Sequence, residues 1–233
     1  MLSGCARSSV PVAGAALAVV VGLVLASGHA LAGTRDDPAA AMTGVVRVNG
    51  VTLALRSQLL QGEPDLLAAR LAQRWGEPLD VPRDSAGSEG GPVRHRLGRQ
   101  RGNFHETLSL SAGPRTGTSI ALIAVQDLRR APSPPAPAPF VLPQGMRVIS
   151  VVEFGAAVVA PRSYALDSAE PPSEALAAVV SAAGVAGWQP IARPGSAAAW
   201  VRRGAEELTA IAVRSGARTR VVLLVTAARG PRR

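Results

Sequence analysis

The sequence predicts an α+β protein of two βαββ repeats, with an antiparallel sheet or sheets and one helix per repeat packed on a face. Three observations predict it. Arg99–Val125 (RQRGNFHETLSLSAGPRTGTSIALIAV) reads again as Arg202–Val225 (RRGAEELTAIAVRSGARTRVVLLV) when Gly113 is set over Gly216, 103 positions on. Arg115 and Thr116 then fall on Arg218 and Thr219, Leu108 and Leu110 on Ile211 and Val213, and Ile120 and Leu122 on Leu223 and Val225. Both stretches alternate apolar and polar residues with the period of a half-buried strand. A helical stripe precedes each, opened by Glu-Pro and closed by Trp.

The first module spans 45–130, after an Ala-rich lead-in at 33–44. Val45–Arg56 (VVRVNGVTLALR) alternates as a strand, with Asn49-Gly50 as a tight turn or a bulge. Glu63-Pro64-Asp65 opens a helix, since Pro suits the first turn and acids favour its positive end. Leu66, Leu67, Leu71 and Trp75 supply its apolar stripe, which Gly76 and Pro78 stop. Residues 80–92 read as a Gly/Ser/Pro loop. Two strands are predicted to follow, Val93–Arg101 running on into Phe104–Ser111, then Thr118–Leu128, joined through Ala112-Gly113-Pro114-Arg115.

Ala131–Gly145 (APSPPAPAPFVLPQG) carries six prolines in 15 residues and reads as an extended spacer. The second module, 146–228, repeats the order. Met146–Phe154 and Arg162–Ser168 are strands, Glu170-Pro171-Pro172 leads a helix over Ser173–Ala183 that breaks at Gly184 and Gly187, and Trp188 follows. Ala198–Arg203, Leu208–Arg214 and Arg218–Ala227 complete the module, and 229–233 is a basic tail. Trp75 and Trp188 read as core anchors, as does Trp200 in the place of Leu97.

Residues 1–32 have the pattern of an export signal: Arg7, an uncharged apolar run over Val10–Ala26, and Ala30-Leu31-Ala32 as a small-x-small cleavage site. The expected location is therefore periplasmic or secreted, with cleavage after Ala32. The alternative is an inner-membrane anchor through an uncleaved 10–26. Cys5 precedes the apolar run, so it is not placed for lipoprotein acylation, and cleavage leaves a chain without cysteine. Disulfides and thiol chemistry are then excluded.

From Gly33 onward the chain carries 24 basic residues against 16 acids, and every basic residue is Arg. A GC-rich coding sequence accounts for that bias, yet an excess of +8 still draws a protein to anionic lipid, polysaccharide or DNA. Arg94, Arg96, Arg99 and Arg101 crowd one predicted strand; Arg202, Arg203, Arg214, Arg218 and Arg220 crowd its counterparts. Arg115 and Arg218 fall at equivalent hairpin tips. Of these, Arg94, Arg96, Arg99, Arg101, Arg115, Arg202, Arg203, Arg218 and Arg220 are the candidate anion-binding residues, because Arg forks grip phosphate or carboxylate bidentately. Charged edge strands that deter sheet-to-sheet association explain the same residues. Nucleic acid is the less fitting anion, since seven aromatic residues leave few platforms for bases.

Enzymatic constellations are missing. The chain has no G-x-S-x-G, Walker loop, G-x-G-x-x-G or H-E-x-x-H. His95 and His105 lie on neighbouring strand segments and can approach one another. His105 and Glu106, as strand neighbours, point to opposite faces and cannot chelate one ion together. Asp36-Asp37 and Glu206-Glu207 are sequence neighbours and do not supply the cleft of a paired-carboxylate hydrolase. No catalytic residue, metal site or cofactor is assigned.

The helix–Trp–strand–hairpin order, with Arg70–Gly76 (RLAQRWG) and Gly187-Trp188-Gln189-Pro190, resembles uncharacterised exported proteins of GC-rich proteobacteria. The resemblance implies small βαββ modules in envelope proteins, sometimes encoded beside secretion or pilus genes, and carries over no functional residue. The function expected is a non-enzymatic binding or scaffolding protein of the bacterial envelope with an envelope protein as partner, accessory to a secretion or pilus assembly. The alternatives are an Arg-rich anion-binding module for lipid head groups, polysaccharide or DNA and, more weakly, a hydrolase.

Overall fold

The computed structural model describes residues 43–76, 95–155, 160–191 and 198–227. The export signal, the loop at 80–92, Arg94 and the basic tail lie outside them. Asn49 and Gly50 settle the first ambiguity. With φ of 49° and 82° they form a two-residue turn that closes on the pair Val48 and Val51. Positive φ at both positions is what Asn-Gly tolerates and other pairs resist. The single predicted strand is therefore a hairpin, β1 (Thr43–Val48) and β2 (Val51–Gln61).

Helix α1 (Pro64–Trp75) follows, then β3 (His95–Arg101), β4 (Phe104–Ala112) and β5 (Thr118–Asp127). The second half gives β6 (Arg147–Phe154), β7 (Arg162–Ser168), helix α2 (Pro172–Val185), β8 (Gln189–Pro190), β9 (Ala198–Arg203), β10 (Glu206–Ser215) and β11 (Arg218–Ala227). All eleven strands join one antiparallel sheet in the order β3-β4-β5-β2-β1-β6-β7-β11-β10-β9-β8. This corrects the α+β expectation of two βαββ repeats. The described chain is mostly one sheet with only two helices, and each half places two strands before its helix and at least three after it.

Helix α1 starts where the sequence predicts and α2 one residue earlier than predicted, at Pro172, because Pro at the first helical position loses no hydrogen bond. A buried hydroxyl fastens each start. Ser119 Oγ donates to the Gly62 carbonyl at 2.7 Å, and Thr219 Oγ1 donates to the Glu170 carbonyl at 2.6 Å. Each carbonyl lies two residues before the helix's first proline. Gly76 ends α1 in the left-handed conformation, whereas α2 runs through Gly184 to Val185. One Gly in a last turn costs about 1 kcal/mol, which the packing of α2 absorbs.

Corresponding positions differ from the alignment on Gly113 and Gly216. The β3–β4 and β9–β10 turns coincide at Gly102 and Gly204, both with φ 57°, a spacing of 102. Leu108 and Leu110 then match Ala210 and Ala212, which are buried like them, instead of the exposed Ile211 and Val213. Trp200 matches Gly98, not Leu97. A one-residue slip moves every side chain to the other face.

The halves meet at β1 and β6, where Val46, Arg47 and Val48 pair with Phe154, Glu153 and Val152. The Asn49 N–H donates to the Val151 carbonyl, and Asn49 Oδ1 accepts the Val151 N–H, both at 2.8 Å. Gly155 N–H closes the other end on the Val45 carbonyl at 2.9 Å. Registered partners share a face, so the seam fixes the sides. Gln58 lies beside Ala121 on the α1 side; two-residue steps along β2 lead to Thr52, opposite Arg47 and thence Glu153, on the side of Val151 and α2. Both helices therefore cover the same face.

Under α1 the core is Ala68, Ala72, Leu97, Leu108, Leu110 and Ala121. The larger core under α2 holds Tyr164, Leu166, Leu176, Val179, Trp188, Leu208 and Leu223, with Ala199, Ala210 and Ala212 beneath the helix. The Pro-rich segment is docked against this side. Ser133 N–H bonds the Gly50 carbonyl at 2.9 Å, Tyr164 Oη donates to the Pro137 carbonyl at 2.8 Å, and Phe140 is buried in the α2 core. A side chain on Gly50 would meet Ser133 O at 1.6 Å, so the glycine is required by close approach as well as by φ.

Asn49 serves both the β1–β2 turn and the seam. Asn49→Gly keeps the turn but removes the Oδ1 acceptor, and is expected to lower unfolding free energy by about 1–2 kcal/mol in urea titration. Asn49→Ala adds left-handed strain and is expected to cost more than Asn49→Gly.

Candidate functional site

The Arg-rich strands do not form one basic band. Arg99 and Arg101 on β3 and Arg203 on β9 take the helix-bearing side; Arg96 on β3, Arg202 on β9, and Arg218 and Arg220 on β11 take the other. Many are neutralised locally. Arg99 pairs with Glu106 across the β3–β4 ladder and lies over the Trp75 ring, 4.1 Å from its centroid. Arg203 pairs with Glu206 at 3.1 Å and lies 4.7 Å over Trp188. Arg202 pairs with Glu207. Arg101 is exposed at the β3–β4 turn, and Arg115 is exposed in the five-residue β4–β5 loop. The β10–β11 turn has only Gly216-Ala217 between its strands, so Arg218 is the first residue of β11 and pairs with Asp167.

The histidines part company. His95 is buried against α1, with Nε2 2.5 Å from Asp65 Oδ1. His105 lies across from Gln100 on the opposite face, beside Gly98. The possible approach of the two is thus corrected: ten residues apart across a hairpin, they differ in face. Among the described residues no group of three His, Cys, Asp or Glu could hold a metal ion.

Sequence reading missed the most distinctive surface. On the helix-free face, one cross-strand row runs Val48, Val152, Ser163, Leu224, Thr209, Trp200. The next includes Ser150, Ala165, Val222, Ile211 and Ala198, and a third carries Asp167, Arg220 and Val213. Val152 and Ala165 are buried near the seam, whereas Trp200, Ile211 and Val213 on β9 and β10 are 42%, 42% and 49% exposed. The reading of Trp200 as a core anchor is corrected, because its neighbours Ala199 and Val201 take the core side. Among the described residues no helix packs on this face.

Its third row is charged. Asp167 has a side chain only 9% exposed, and its Oδ2 receives Arg147 at 3.2 Å and Arg218 at 2.6 Å. Arg220 lies directly across β7–β11 from it, half-buried, in no ion pair among the described residues and with its Nε buried without a hydrogen-bond partner. Arg147 and Arg218 thus share one carboxylate and Arg220 stands across the ladder from it, so three guanidiniums gather about one negative charge, an excess of two positive charges. Arg147, on β6, was not among the candidate residues; only the bulge between Val148 and Ser150 and the β6–β7 pairing bring it here.

Perturbed titration lies elsewhere. The side-chain hydrogen bonds from Arg129, joined by its backbone N–H and the charges of Arg129 and Arg130, lower the Asp127 carboxyl from 3.8 to about 2; Arg129 is raised by the same contact. Burial raises the Tyr164 hydroxyl.

Asp127 is therefore expected to titrate near 2 by carboxyl NMR, and Arg129→Gln to return it toward 3.8. The folded value is depressed, so the contact's stabilisation is present above about pH 4 and is lost as pH falls through about 2. Asp167→Asn leaves three unneutralised guanidiniums. It is expected to cost about 1–2 kcal/mol, less than a fully buried pair because Arg147 and Arg218 remain in water, and to raise the salt needed to elute the chain from a polyanionic matrix.

Compared with protein-family models, curated proteins and solved structures, the chain matches none.

Proposed function

We propose that this chain is an exported, non-enzymatic binding or scaffolding protein of the bacterial envelope, and that its partner docks on the helix-free face of the second half. The observation that carries the reading is the exposed set Trp200, Ile211 and Val213, one in each row of a sheet face that otherwise bears Ala, Ser, Thr, buried or half-buried Val and Leu, and the Asp167–Arg220 pair. Exposed apolar side chains gathered on one face favour an interaction site, where scattered ones need no explanation. A sheet face is also rigid, so little ordering cost is left to binding. Dispersal of the acid–base groups supports a binder over a catalyst. His95 is engaged by Asp65 on one face, His105 is on the other, and Asp167, Glu106, Glu153, Glu206 and Glu207 each hold an Arg.

Export with cleavage after Ala32 belongs to this proposal. No helix among the described residues is long and apolar enough to cross a membrane. The anion-binding reading has its own support in the guanidinium cluster around Asp167, which adjoins the same apolar run through the pair Val213 and Arg220.

A photoreactive residue at Ile211 in the full exported chain tests the reading in intact cells. Cross-linked adducts are expected from Ile211 and not from exposed Ala177 on α2, and Val213→Glu is expected to reduce the Ile211 adduct at least fivefold. Equal labelling from both positions, or no adduct, overturns it.

A further inference from the structure

Resting on that binding surface, we infer that its partner is an anionic phospholipid surface. Arg147, Arg218 and Arg220 hold the phosphates, and Val213, Ile211 and Trp200 enter the boundary beneath the head groups.

Charge placement favours this partner. The cation excess sits at one end of the apolar run, where Val213 pairs directly with Arg220. Thr209, opposite Trp200, is four residues from Val213 along β10, roughly 13 Å at the rise of a strand. At the far end Arg202 is neutralised by Glu207. The face therefore has a positive end and an apolar flank, the pattern of a surface that meets head groups and the outer acyl region together. Trp200 brings an amphipathic ring of the kind that settles at membrane interfaces.

The unsatisfied donors point the same way. Arg147 and Arg218 both spend their contact on a single Asp167 oxygen, their side chains 73% and 46% exposed, and Arg220 makes no ion pair among the described residues. A phosphate placed over them gains charge-assisted hydrogen bonds without displacing Asp167, which holds Arg147 and Arg218 in place beside Arg220. A protein partner with an acidic rim would satisfy the charges as well. Such an interface sets an apolar centre inside a charged rim, whereas here the three apolar residues, one in each row, stand to one side of the cations, as head groups and acyl region are layered in a bilayer.

Binding of the purified exported chain to vesicles tests the inference. Vesicles of phosphatidylglycerol and phosphatidylcholine are expected to bind at least tenfold tighter than phosphatidylcholine alone, and affinity should fall as salt rises from 50 to 500 mM. Arg220→Gln breaks no ion pair among the described residues, so the fold is kept, and it is expected to weaken binding about fivefold. Arg218→Gln acts in the same direction and Ile211→Glu abolishes binding, while Arg74→Gln, exposed on α1 on the other side of the sheet, leaves it unchanged. Equal binding to the two vesicle types, or insensitivity to Arg220→Gln and Arg218→Gln, overturns the inference. Full competition by millimolar glycerol phosphate also overturns it, since an isolated phosphate would then suffice. If vesicles fail while the Ile211 adduct persists and still depends on Val213, the lipid partner is rejected and the binding surface stands. If both fail, both readings fall.

Discussion

Eleven strands become one sheet because β1 and β6 share an edge, and that edge is short. Three registered pairs are extended by the two bonds of Asn49 with Val151 and by Gly155 with Val45. Asn49 carries an unusual share of this junction. Its left-handed φ makes the turn into β2, and the same conformation presents both its N–H and its Oδ1 to β6. A residue with a Cβ and no amide side chain would strain the turn and lose the acceptor. The seam also fixes the sides of the molecule. Arg47 opposite Glu153 puts α1 and α2 on one face, and a slip of one residue would place them on opposite faces.

With both helices committed to one side, that side holds the two cores and the Pro-rich segment, which runs from the β1–β2 turn into the core under α2. The fastening of each helix start by a buried hydroxyl, Ser119 and Thr219, ties helix position to strand register in both halves. Among the described residues, the other side carries sheet side chains and no helix. Near the seam these are buried; toward β9 and β10 they emerge, and the cations around Asp167 lie along the border. The proposed binding surface thus follows from the way the seam assigns faces.

Much of the element plan was legible in the residues themselves. Proline at the first helical position, Gly76 as a stop, Asn49-Gly50 as a turn and the alternation of β4, β5 and β11 are local signals with local causes. Face assignment was less accessible. In Leu208–Ser215 (LTAIAVRS) large apolar residues alternate with alanine, so both faces of β10 are apolar and hydrophobicity ranks Ile211 and Val213 above Ala210 and Ala212. The structure buries the alanines because α2, with Leu176 and Val179 and the neighbouring Tyr164 and Trp188, already fills the space above them. Trp200 emerges for the same reason, since Ala199 and Val201 are the residues that fit beneath the helix.

The Arg positions divide likewise. Crowding on a strand was visible in the sequence, but consecutive residues of a strand face opposite ways, and Glu106, Glu206 and Glu207 stand opposite specific arginines only once the ladders are in register. Asp167, with Arg147 twenty residues before it and Arg218 and Arg220 some fifty after, belongs to three strands that become neighbours only in the finished sheet. What the sequence by itself determined is the succession of turns, helix starts and strands, because these depend on backbone preference within a few residues. Which strands share an edge, which side each presents and which charges remain for a partner were decided by tertiary structure, because they depend on hydrogen-bond register and helix packing between residues far apart in the chain.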